Sequence, residues 1–85
     1  LPDANWHLYP NPANHYFLLE FEREIDRSFD IRIVDLRGVT IYERKYEKGL
    51  KQYKVDTEEL PEGVYHIIVR KDEQQAQIHK LIIVH

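Results

Sequence analysis

Five histidines are the first residues whose chemistry invites a site: His7, His15, His66, His79 and His85. His66 and His79 fall in two segments of alternating apolar residues that should pair as neighbouring strands. Two imidazoles across a ladder would suit a metal ion. No carboxylate stands at fixed spacing to give a third ligand or a second shell, which metal sites normally use. Both are read as polar positions on the solvent face of a hairpin, with no metal assigned. Nucleophilic catalysis has less material still. The one serine, Ser28, ends the charged, flexible stretch 22–28 and lies in no Gly-x-Ser-x-Gly elbow. Cysteine is absent, so there is no thiolate and no disulfide framework. Carboxylates are many but alternate with Lys and Arg; the adjacent Glu58 and Glu59 simply precede a turn. Acid–base work would need a cleft that separates two carboxyl pKa values. Three glycines cannot build a phosphate loop. Tyrosine is enriched, with six residues against three phenylalanines and one tryptophan. An exposed row of Tyr16, Tyr42 and Tyr46 would make a platform for sugars or peptides. The plainer reading is a half-buried ring with a wet hydroxyl. No catalytic set and no cofactor site emerges.

The elements that would position these residues are short strands. The chain has 85 residues, 42% hydrophobic and 32% charged, with a formal net charge of -3. That length holds one domain, and the hydrophobic fraction is too high for a disordered tail. A small acidic charge without a basic block argues against nucleic acid as a partner. The longest apolar run, Leu81-Ile82-Ile83-Val84, is far below the ~20 residues of a membrane-spanning helix. Helical composition is confined to residues 56–60, which stop at Pro61.

Strands are predicted over residues 6–9, 16–22, 29–36, 39–46, 51–55, 64–70 and 76–84. Short alternating runs at this spacing indicate an all-β sandwich or barrel. Phe17, Leu19 and Phe21 share a face, as do Phe29, Ile31 and Ile33, and Tyr65, Ile67 and Val69. The last two sets are expected to face each other across a two-layer interior. Asp35-Leu36-Arg37-Gly38 and Leu60-Pro61-Glu62-Gly63 both read as type I turns. Lys48-Gly49 reads as a tight hairpin between the fourth and fifth strands. The polar residues 72–75 join the last two. Short connections predict that sequence neighbours mostly pair.

Three patterns carry more information than composition. Tyr9-Pro10-Asn11-Pro12 constrains Tyr9 and Asn11 toward extended geometry and removes two ladder donors. It should end the first strand and make a stiff corner into the second. Ile33-Val34 runs into the Asp35–Gly38 turn. Leu60-Pro61-Glu62-Gly63-Val64-Tyr65 places a tyrosine just after a crossing between sheets. This is the setting of a tyrosine corner, so the Tyr65 hydroxyl should bond to backbone near Leu60.

In this order and spacing the patterns resemble the type A C-terminal sorting domain of the type IX secretion system of Bacteroidetes. That family pairs a Tyr-Pro-Asn-Pro element with a strand ending in Asp-Leu-x-Gly. A Leu-Pro-x-Gly-x-Tyr element and a Lys-rich final strand follow. The matching residues are Tyr9, Pro10, Asn11 and Pro12; Asp35, Leu36 and Gly38; Leu60, Pro61, Gly63 and Tyr65; and Lys80 before the terminal apolar run. The resemblance implies a seven-stranded, immunoglobulin-like antiparallel β-sandwich that is a signal and not an enzyme. It implies a larger cargo domain in front, with residues 1–5 as linker and 6–85 as the sorting domain. The implied partners are the type IX translocon, shuttle and sortase proteins at the outer membrane. The implied route runs through the periplasm to the cell surface or medium. Recognition is expected through the C-terminal hairpin, whose last strand would be a sheet edge with unpaired backbone groups. The alternative is a fibronectin- or immunoglobulin-like accessory module that binds glycan or serves as a spacer.

Overall fold

The computed structural model describes residues 6–71 and 76–85. The expected linker 1–5 and the connection 72–75 lie outside these residues. Seven strands follow one another: β1 (Trp6–Tyr9), β2 (Tyr16–Phe21), β3 (Phe29–Val34), β4 (Thr40–Tyr46), β5 (Gln52–Asp56), β6 (Gly63–Arg70) and β7 (Gln77–Ile83). They form two antiparallel sheets, one in the order β1-β2-β5 and the other β4-β3-β6-β7. This is the expected seven-stranded sandwich, divided three against four as in immunoglobulin-like domains.

Alternation builds the interior. In β2 the buried residues are Phe17, Leu19 and Phe21, and in β3 they are Phe29, Ile31 and Ile33. Tyr53 and Val55 of β5, Tyr65, Ile67 and Val69 of β6, and Leu81 and Ile83 of β7 join them, with Trp6, Ala13 and Ile25 also in the core. The expectation that β3 and β6 face each other across the layers is wrong. They are neighbours in one sheet, with Ile31 beside Val69 and Ile33 beside Ile67. Their buried side chains therefore share one face, and the opposing layer is supplied by β2 and β5. Periodicity reports which face is buried, not which strand lies opposite.

The Lys48-Gly49 hairpin is also wrong. β4 and β5 belong to different sheets, so residues 47–51 cross the sandwich. The crossing is tied to the 22–28 connection, where Gly49 N–H donates to Ile25 C=O (2.9 Å) and Ile25 N–H to Leu50 C=O (3.1 Å). Ile25 itself is buried, so this segment is a plugged crossing and not the loose charged loop expected. Tyr53 locks it further. Its hydroxyl donates to Glu47 C=O (2.7 Å) and accepts from Leu50 N–H (3.1 Å), and its ring meets Phe29 edge-on at 4.9 Å. Sequence neighbours pair in only three of six cases, β1–β2, β3–β4 and β6–β7, because the other connections change sheet.

The registers define two ends. Trp6 opposite Phe21, and Phe29 opposite Tyr46, put the aromatic cluster and both locked crossings at one end. The segments 10–15 and 57–62, the Asp35–Gly38 turn and the end of β7 lie at the other.

Candidate recognition surface

Three sequence patterns meet at that second end, and each is held by a different device. Asn11 is the most informative. Its side-chain nitrogen donates to Lys80 C=O (3.0 Å), and its oxygen accepts from Ile82 N–H (3.0 Å). Ala13 continues the contact: its N–H donates to Ile82 C=O (2.7 Å) and its C=O accepts from Val84 N–H (2.8 Å). Ala13 thus bridges to Ile83 in parallel sense. The Pro-Asn-Pro segment has no proline N–H to spend, and the asparagine amide stands in for a strand's peptide group. The outer edge of β7 from Lys80 C=O to Val84 is therefore filled by the chain's own corner. The sequence expectation of an open final edge is corrected over this half.

The second device is the crossing from β5 to β6. The Tyr65 hydroxyl donates to Pro61 C=O (2.6 Å), which is the expected tyrosine corner moved one residue from Leu60. The type I turn predicted over Leu60–Gly63 is not the closed one. Leu60 N–H instead donates to Thr57 C=O (3.0 Å), closing a turn earlier. Leu60 C=O accepts from Nε2 of His85 (2.7 Å), whose other ring nitrogen lies 3.1 Å from the Asn14 side-chain oxygen. Gly63 has φ +156°, a backbone conformation that side-chain-bearing residues rarely adopt. Thr57, fully buried, donates its hydroxyl to Asn14 C=O (3.0 Å), and its N–H donates to His15 C=O (2.9 Å). Segments 11–15, 57–65 and 80–85 are thereby one bonded unit.

The third device is the β3–β4 turn. Gly38 N–H donates to Asp35 C=O (2.9 Å), and one Asp35 carboxylate oxygen accepts from the N–H groups of Arg37 (2.9 Å) and Val39 (3.0 Å). Gly38 takes φ +88°, a left-handed value that glycine adopts without strain. The Val39 N–H bond, then the Arg37 side chain, hold the Asp35 carboxyl below its ordinary value of 3.8. Val34 pairs with His66, so this turn stands beside the start of β6, at the same end as the bonded unit. Leu36 at its tip is 69% exposed.

The other candidates disperse. His66 pairs with Lys80 while Ile67 pairs with His79, so the two histidines point to opposite faces. His79 lies on the Ile67 side of β7, where it stays exposed and stacks on Trp6 with ring centroids 4.0 Å apart, so the two do not share one face as expected. Among the described residues no group of His, Asp and Glu is placed to hold a metal. Tyr42 and Tyr46 face inward on β4 with their hydroxyls hydrogen-bonded to each other, and burial, then Tyr42, raises the Tyr46 pKa. Tyr16 lies on the other sheet under Lys54, so the three make no common platform. Tyr9 leaves its motif partners. Its hydroxyl donates to Glu20 (3.1 Å) and accepts from Gln52 (2.8 Å) on the three-stranded sheet; burial, then Glu20, raises its pKa. Lys80 contributes its carbonyl to the bonded unit and leaves its side chain exposed.

Ala13, Asn14 and Thr57 were not singled out by sequence, and His85 only as one of five histidines. Thr57 continues the alternation of Tyr53 and Val55, a usable signal. Nothing in the sequence pairs His85 with Leu60. The family described as "Secretion system C-terminal sorting domain" has a model that matches residues 7–84. Comparison with curated proteins gives no match. Among the described residues no helix is long and apolar enough to cross a membrane.

Proposed function

Because the chain belongs to the family of type IX secretion-system C-terminal sorting domains, we propose that it is an address read at the motif-bearing end of the sandwich. In this reading the chain carries a cargo domain, joined through residues 1–5, across the outer membrane through the type IX translocon. Shuttle and sortase proteins act on it there, and the cargo finishes at the surface or in the medium. The observation that carries the reading is the convergence of Asn11, the Leu60–Tyr65 corner and the end of β7 into one bonded unit, with the Asp35–Gly38 turn beside it.

Physics explains why such a signal would be folded. The unit joins segments far apart in sequence, and only a packed core brings them together. Trp6 lies at the opposite end from these motifs by register. The family is not known for enzymatic activity. No observation favours the glycan-binding alternative, since Tyr16 lies on the other sheet from Tyr42 and Tyr46, whose hydroxyls bond to each other. The test is a reporter fused in front of this chain in a cell with a type IX system. Surface or extracellular reporter supports the reading. Reporter that stays periplasmic while the domain is folded contradicts it.

A further inference from the structure

The four-stranded sheet ends differently on its two sides. On the β7 side the chain's own corner, Asn11 to Ala13, occupies the edge from Lys80 to Val84. On the β4 side no segment pairs with the edge among the described residues. The register shifts between Ile33 and Val34, which pair with Tyr42 and Thr40, and the crossing to β5 begins after Tyr46. The regular part of the edge is therefore Tyr42-Glu43-Arg44-Lys45-Tyr46. Read from either end it gives a tyrosine, a charge and then Arg44, and the two flanking charges are opposite in sign. Charged side chains on an edge strand keep most neighbours away. This arrangement is complementary to one neighbour, its own copy.

We infer that β4 pairs antiparallel with β4 of a second copy, about a two-fold axis through Arg44. Alternation along a strand keeps outer-face residues beside outer-face residues in such a joined sheet. Glu43 then stands opposite the second copy's Lys45, and Lys45 opposite the second copy's Glu43. Within each copy Arg32 already pairs with Glu43, and Asp30 with Lys45. Each outer-face row across the junction therefore runs Arg32, Glu43, then Lys45 and Asp30 of the second copy, alternating in sign. Arg32 takes only Oε2 of Glu43, at 3.3 and 3.0 Å, and Lys45 makes no ion pair among the described residues. Both groups can thus meet the second copy without giving up a bond. On the inner face Tyr42 stands opposite the second copy's Tyr46, an aromatic cross-strand pair. Arg44 opposite itself is the one like-charged pair, and it is exposed, where salt and water screen it. The joined sheet continues β7-β6-β3-β4 into β4-β3-β6-β7 of the second copy. Because the axis reverses the strand, the two motif ends point to opposite poles. One short junction is a small interface, so the dimer is a weak one. The inference stands apart from the sorting reading.

The test is sedimentation of the whole chain from about 20 μM to about 1 mM at low salt. Apparent mass should climb from monomer toward dimer, and exchange of alternate amides within residues 42–46 should slow with it. Glu43→Lys and Lys45→Glu each turn both outer-face pairs into like-charged ones, so each variant alone should associate about tenfold more weakly or worse. An equimolar mixture of the two variants sets opposite charges across the junction again and should restore the dimer. Arg44→Gln removes the like-charged pair at the axis and should tighten association about threefold. Melting curves check that each variant is folded, and Arg44→Gln, at an exposed position, carries the test if an outer-face variant does not fold. A chain that stays monomeric over the whole range overturns the inference. So does a dimer that ignores all three substitutions, or a mixture that remains monomeric while each variant is folded. A dimer whose protected amides lie in β7 overturns it as well, because a different edge then joins the copies.

Discussion

A single hydroxyl decides how the chain changes sheet between β5 and β6. The Tyr65 ring is buried while its O–H reaches Pro61 C=O at 2.6 Å. Tyr65→Phe keeps the ring and leaves that carbonyl without its donor, so unfolding free energy should fall by roughly 0.5–1.5 kcal/mol in a denaturant titration. An unchanged midpoint would remove the corner from the account. Asn11 works differently, because its amide takes the place of a peptide group on the edge of β7. Asn11→Ala should destabilise by about 1–2 kcal/mol and speed exchange of the Ile82 amide, with β1 and β2 unaffected. Asp35 adds a pH dependence. Its folded pKa lies below the unfolded 3.8. Its stabilising effect is therefore complete above that value and is lost as pH falls through the lower, folded one. Asp35→Asn keeps an oxygen for the two N–H groups but no charge. The stability gap between wild type and this variant should be constant at neutral pH and close in acid below 3.8; a gap independent of pH would contradict the assignment.

At the scale of elements, the 22–28 and 47–51 crossings carry more than their composition suggests. Ile25 plugs one end of the sandwich and exchanges backbone bonds with Gly49 and Leu50. Ile25→Ala should cost about 2–4 kcal/mol, measured as a shift in the chemical denaturation midpoint. A loss typical of a surface site, within about 0.5 kcal/mol, would restore the loose-loop reading. These crossings also mark what a sequence can and cannot disclose. Strand positions were legible because Phe17–Phe21, Phe29–Ile33 and Tyr65–Val69 alternate strictly, and burial of one face demands that period. Sheet membership was not, because Lys48-Gly49 has the same local chemistry whether it turns a hairpin or crosses a sandwich. Likewise the Tyr65 corner was readable from Pro and Gly spacing, whereas the bonds from Asn11 to β7 span 69 and 71 residues. No local pattern encodes a partner at that distance. The same long bonds rule out truncation as a clean test of β7. Deleting residues after Lys80 would remove buried Leu81 and Ile83, and lost export would then only report lost folding.

On the scale of the whole molecule, the two ends of the sandwich differ in build. Its extents are 34 × 22 × 19 Å. One end is locked by the Phe21, Phe29 and Tyr53 rings and the two crossings. The other gathers Asn11, the Leu60–Tyr65 corner, the end of β7 and, beside them, the Asp35–Gly38 turn. Leu36 in that turn belongs to the Asp-Leu-x-Gly motif, is 69% exposed and lies outside the core cluster. An apolar side chain held at a turn tip without packing is suited to contact with another protein. The decisive measurement is the fraction of a fused reporter that reaches the surface when the chain carries Leu36→Ser. The melting temperature, checked on the same fusion, should be unchanged. The account predicts that export drops about tenfold, the loss of roughly 1.4 kcal/mol of recognition free energy. Full export from this variant would contradict the claim that the export machinery reads the motif end.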